Sequence, residues 1–195
     1  MKRLDLYSIS LATLDNKLIT EDFYALVANV AKRNYQDPNL MVEAVFSGTT
    51  ILSARIADDM AFENPAFANA HNFVGNISGL GDSTQFQRFF NEHVLIEMSR
   101  KNPYDAFEIM LLHKQFHFGF GLGTLRQNCL DAINYMFSLI SAGGLGVGVF
   151  YDPFVALAAH FFDFEGARSL RDMEAISFVM DNGKISVLGI KEVVL

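Results

Sequence analysis

His113 and His117 stand four residues apart, a spacing that puts two imidazoles on one face of a helix. Such a pair can hold a metal ion when a third ligand comes from elsewhere. Here the neighbours argue against it. The helical metalloprotease pattern needs a glutamate directly after the first histidine, and Lys114 occupies that place. A lysine there would also repel a cation, so no metal is assigned. Histidines near the carbonyl end of a helix are favourable without any ligand. Arg168 and Arg171 are three apart and could clamp an anion, or bridge to Glu165 and Asp172 on a helix surface. These four residues are the candidates for catalysis.

Glycines supply a second kind of chemistry. Gly119, Gly121 and Gly123 precede Thr124, where an amphipathic helix is expected to start. Bare amides at a helix N-terminus can bind an anion, which makes Gly121, Gly123 and Thr124 the anion-binding candidates. The P-loop lysine is absent, because Thr124-Leu125 follows the last glycine. Gly144, Gly146 and Gly148 sit where a helix passes into a strand, and close packing explains them. Cys129 is the only thiol and falls on an apolar helical face, where a cysteine acts as a small hydrophobe. No serine lies in a nucleophile elbow. No cofactor is implied.

The third feature is a stretch at 63–82 with no charge between its ends, Glu63 and Asp82. Phe67, Phe73, Ile77 and Leu80 stand in it among asparagines and glycines. Exposed aromatics would anchor a protein partner; folded under, they would form a lid on the core. Phe67, Phe73, Glu63 and Asp82 are the partner-binding candidates.

The elements that must position these groups follow from periodicity. A strand is expected over 4–14 and a helix over 21–34, with Thr20 as cap and Glu21 and Asp22 in its first turn. Residues 42–46 and 50–56 read as a hairpin about Ser47-Gly48, with Leu52, Ala54 and Ile56 alternating with Ser53 and Arg55. A short helix is expected at 66–71. A helix on 83–90, a strand on 93–98 and a helix opened by Asn102-Pro103 follow. The helix from Thr124 should bury Leu125, Cys129, Ala132, Ile133, Met136 and Phe137. An interior strand at 145–151, a helix through 162 and a hairpin of 176–180 with 184–190 about Asn182-Gly183 complete the chain.

The expected order is β-α-β-β-α-β-α-α-β-α-β-β. The class is α+β, with a mixed, largely antiparallel sheet and helices packed on it. The expected organisation is one globular domain over 1–195, or two packed halves, about 1–62 and 83–195, joined by the long loop. In the pieces VEAVFSGTTILSARIADD, HVLIEMS and LGIKEVVL the chain resembles an uncharacterised family of bacterial α+β domains of unknown function. That resemblance implies an architecture and no functional residue.

Composition bounds the function. Hydrophobic residues make up 51% of the 195, including 19 phenylalanines, and only 19% are charged. That suffices for a packed core. A net charge of −7 speaks against nucleic acid or an anionic membrane surface as partner, since both want a basic footprint. It suits a basic protein partner. One cysteine rules out an internal disulfide and fits a cytoplasmic location. The start, MKRLDLYSIS, does not read as a signal peptide, so the acceptor pattern Asn76-Ile77-Ser78 is discounted. The uncharged run 132–151 holds four glycines and is flanked by Asp131 and Asp152, so it reads as helix, break and strand rather than a membrane span.

Three readings of function remain open. The leading one is a non-enzymatic interaction module, of the bacterial or phage inhibitor or immunity type, acting through the 63–82 stretch. The second is an enzyme or small-ligand or anion-binding domain with an unfamiliar histidine and arginine site. The third is a structural subunit of a homo-oligomer.

Overall fold

The computed structural model describes residues 1–9, 21–37, 39–62, 64–80, 122–152 and 154–193. Among them the elements are β1 (Lys2–Ile9), α1 (Glu21–Asn34), β2 (Val42–Ser47), α2 (Ile51–Ala61), a 3-10 turn (Pro65–Phe67) and β3 (Asn72–Val74). They continue with α3 (Leu122–Ser138), β4 (Leu145–Tyr151), α4 (Phe154–Phe161), β5 (Ala175–Asp181) and β6 (Lys184–Lys191).

The six strands form one sheet in the order β3-β2-β4-β1-β5-β6. β1 to β4 run parallel to one another, and β5 and β6 add an antiparallel edge. The fold is therefore α/β with a mixed, mostly parallel sheet, which corrects the expected antiparallel α+β arrangement. The sheet takes strands from both ends of the chain. Parallel strands need helical crossovers on both faces, so β4 is buried along its whole length and β1 over most of it. α1 and α2 pack together, as do α3 and α4.

The central error lies at 50–56, which is not a hairpin arm but the start of α2. Thr50 caps that helix, accepting from the Ser53 amide. Ser53, Ile56, Ala57 and Met60 then form its buried face, at helical spacing. In the 66–71 region only the 3-10 turn forms, and β3 follows it.

Elsewhere local pattern and structure agree. α3 buries Leu125, Cys129, Ala132, Ile133, Met136 and Phe137. The terminal hairpin turns at Asn182 and Gly183, both in the left-handed region, with φ of 49° and 78°. The pairing of β5 with β6 slips once beyond Ser177, leaving Leu188 as the extra, exposed residue. Among the described residues no helix is long and apolar enough to cross a membrane. The uncharged run is divided between α3 and β4.

Candidate functional site

From β1 the chain crosses to β2, leaving a slot that β4 later fills, and α4 then carries it past β1 to β5. The connections from β1 and β4 thus diverge. In open α/β sheets the crevice beyond the carboxyl ends of two such strands is where ligands bind.

That edge is built from few residues. β4 ends on Tyr151 and Asp152, both buried. The Asp152 amide donates to the Ile9 carbonyl at 3.0 Å, tying the ends of β4 and β1 together. The Gly48 amide donates to the Val149 carbonyl at 3.1 Å, tying the end of β2 to β4. A side chain at Gly48 would press on Ser53 and Phe150, so glycine lets the start of α2 approach the strand ends.

Thr50 and Tyr151 meet here, with their hydroxyl oxygens 2.5 Å apart. Proton accounting fixes the direction. Ser53 Oγ donates to the Thr50 carbonyl and accepts from Thr50 Oγ1, so Tyr151 is the donor to Thr50. Burial pushes the Tyr151 hydroxyl up to about 12. On the opposite face of the sheet, Ser8 is fully buried and its hydroxyl has no hydrogen-bond partner among the described residues.

Asp152 is the unusual acid. Its Oδ1 accepts from the Leu170 amide at 3.0 Å. Burial pushes its carboxyl up to about 8, the Leu170 bond opposing and the nearby Glu174 charge adding. The sign for stability follows from a folded-state value above the ordinary 3.8. The contribution is full at low pH and is lost as pH rises toward about 8. Asp152→Asn keeps an acceptor for Leu170 and removes the titration. We expect the variant to gain stability relative to the parent as pH rises from about 4 to about 8, read from thermal melts across that range. A constant difference between the two proteins would contradict the burial argument.

The segment after α4 closes the site from the side. Ser8 exchanges backbone bonds with it: its amide donates to the Glu174 carbonyl, and its carbonyl accepts from the Met173 amide. Arg168 and Arg171 lie on this segment, so the structure does bring that pair to the strand ends. Both serve Glu174. Arg168 grips it with two bonds of 2.8 and 3.0 Å and also reaches Glu192. The Arg171 amide donates to it at 2.9 Å, while the Arg171 side chain is exposed. Burial raises the Glu174 carboxyl, but these bonds outweigh it and hold the group below its usual value.

His113, His117, Gly121, Glu63 and Asp82 lie outside the described residues. Gly123 and Thr124 fall in the first turn of α3 and are exposed, with open space beside Gly123. Phe67 is buried edge-on against Tyr35, whereas Phe73 is 57% exposed on β3. Burial pushes the Cys129 thiol up to about 12, and it donates to the Gly79 carbonyl. Sequence reasoning missed Thr50, Tyr151, Asp152 and Ser8. The one local signal was Thr50, a residue type that favours the N-cap of a helix.

These features define an α/β protein with a topological switch point between β1 and β4, and solved structures share its fold. Bacillus stearothermophilus YhfR is similar over 96% of this chain and 96% of its own, with a TM-score of 0.64 and 11% identity. A phosphoglycerate mutase from Bacillus anthracis str. Sterne is similar over 95% of this chain and 90% of its own, with a TM-score of 0.60 and 9% identity. No family model matches the chain, and no curated protein matches it in sequence. The fold is phosphoglycerate mutase-like. This corrects the resemblance to uncharacterised α+β domains. It also overturns the reading as an inhibitor or immunity-type interaction module, which rested on acidity and the lack of a motif rather than on a fold.

Proposed function

We propose that the chain binds a phosphorylated small molecule at the carboxyl edge of β1, β2 and β4. The observation that carries this is the phosphoglycerate mutase-like fold over nearly the whole chain, with its topological switch point at that edge. The local chemistry is consistent. α2 and α4 both begin there, so two helix N-termini offer amides and positive dipole ends to an anion. Thr50, half-buried at the start of α2, adds a hydroxyl beside them, held in place by the buried Tyr151. Asp152, held largely protonated at neutral pH by burial, adds little negative charge to repel a phosphate. The exposed Arg171 side chain is the cation of the segment whose backbone bonds to the end of β1.

A phosphoryl-transferring enzyme is the second reading, favoured by the likeness to a protein described as a mutase. Transfer through the protein needs a nucleophile with a base in reach. Among the described residues of this edge the groups are hydroxyls, carboxyls and two guanidinium groups, with no imidazole. A base would come from outside them, where His93, His113 and His117 lie. A reducing, cytoplasmic setting belongs to this proposal, because the single, buried Cys129 suits it.

The test is paired. Titration with 3-phosphoglycerate is expected to show saturable binding that Thr50→Ala and Arg171→Ala each weaken by about 1 kcal/mol or more. Release of phosphate from p-nitrophenyl phosphate decides between binding alone and turnover. Binding without release supports the first reading, and release abolished by His113→Ala or His117→Ala supports the second.

A further inference from the structure

A second concavity, of about 480 Å³, opens between the loop after β3 and the solvent side of α3. Its α3 wall is a polar stripe of Asn128, Asp131 and Tyr135, spaced three and four apart and so aligned on one helix face. Asn76 and Ser78 form the opposing rim.

The two walls are fixed to each other. The Cys129 thiol donates to the Gly79 carbonyl at 3.3 Å. A Cβ on Gly79 would lie 2.5 Å from the Asn128 carbonyl oxygen, so the loop rests directly on helix backbone. The Ile77 amide donates to the Ser47 carbonyl, which holds the loop to the end of β2. Asn76 keeps a φ of 59° at the rim, a conformation that costs energy in a residue with a side chain. The concavity is therefore preformed, as ligand sites commonly are.

Its lining selects a ligand class. Among the described residues that line it there is no lysine, arginine or histidine, and the single charge is the Asp131 carboxylate. A phosphate or other anion would be repelled. A cation would find one carboxylate, already accepting from Gln127 at 2.8 Å. Two carboxamides, a carboxylate and a serine hydroxyl instead offer mixed donors and acceptors, the set that pairs with neighbouring hydroxyls. Tyr135, 50% exposed, presents an aromatic face on which the C–H side of a ring can lie.

We infer that this cleft binds the neutral, polyhydroxylated ring of a saccharide. The inference is independent of the phosphate site, because it uses other residues and the opposite electrostatics.

Saturation-transfer NMR with glucose, galactose, mannose, ribose and lactose tests it, with spermidine and inorganic phosphate as charged probes. At least one sugar is expected to bind saturably. Asp131→Ala and Tyr135→Ala, both at exposed positions, are expected to weaken it about tenfold or more. Phe73→Ser, outside the lining, should leave it unchanged. Failure of every sugar would overturn the inference, as would sugar binding indifferent to both substitutions. Spermidine binding lost in Asp131→Ala, without sugar binding, would make this a cation site instead.

Discussion

Asp5→Ala is expected to destabilise the protein by about 3 to 5 kcal/mol at neutral pH, the range for removing one partner of a buried ion pair. Asp5 is wholly buried in the middle of β1, one of the two central strands. Its carboxylate accepts from Ser177 Oγ at 2.6 Å, Lys191 Nζ at 2.7 Å, Arg3 Nε at 3.1 Å and the Tyr35 hydroxyl at 3.3 Å. With Arg3 Nη2 at 3.2 Å, five donor groups on four residues converge on one acid, from β1, β5, β6 and the end of α1. Without it, two cations face a low-dielectric surface with no counter-charge.

Relief is partial, because the Lys191 and Arg3 side chains keep 25% and 34% exposure and can turn toward water. Burial already lowers the Lys191 ammonium against the pull of Asp5. In the variant nothing of Asp5 opposes burial, so the lysine sheds its proton earlier and the deficit shrinks as pH rises. Asp5→Asn, which keeps one acceptor, should cost less. Adding Lys191→Met to Asp5→Ala should recover part of the loss, because the unpaired charge goes with it. Urea unfolding of the four proteins measures this. A loss under about 1 kcal/mol would show that the cluster is solvated rather than buried.

Gly79→Ala carries the second large effect, about 2 to 4 kcal/mol. Gly79 has a φ of +91°, and an added Cβ would lie 2.5 Å from the Asn128 carbonyl oxygen and 2.9 Å from the Ala132 side chain. The backbone term costs roughly 1 kcal/mol and the overpacking term about 1 to 3 kcal/mol. Neither obstacle is flexible, since one is helix backbone and the other a buried alanine. Gly123→Ala provides the contrast of sign. It lies in the first turn of α3 with nothing within 4 Å of the new atom. Helix propensity alone then operates, and a gain of up to about 1 kcal/mol is expected. Equal losses at both positions would contradict the docking of the loop on α3.

How much of this could be read from the chain depended on the range of the interaction responsible. The Asn182-Gly183 hairpin is local, because its two left-handed residues suffice to turn the chain. The buried face of α3 is likewise local, a repeat along one helix. The mistake at 50–56 arose because Leu52, Ala54 and Ile56 alternate within seven residues. The helical set Ser53, Ile56, Ala57 and Met60 emerges only in a longer window. Parallel order was further out of reach. That β4 inserts between β2 and β1 is decided by contacts a hundred or so residues apart, which turn residues do not announce. The site shares that property. Thr50 and Tyr151 are 101 positions apart and join only because two strand ends and a helix start coincide. Arg168 and Arg171 were visible as a pair, but their common partner Glu174 was not.

Isothermal titration with 3-phosphoglycerate, set beside glycerate, tests the central claim most directly, because the two differ by the phosphate alone. Saturable binding of 3-phosphoglycerate is expected, with competition by inorganic phosphate, no comparable binding of glycerate, and weakening by Thr50→Ala. Equal behaviour of the two compounds, or phosphate-dependent binding that Thr50→Ala and Arg171→Ala leave untouched, would contradict a phosphate site at the carboxyl edge of β1, β2 and β4.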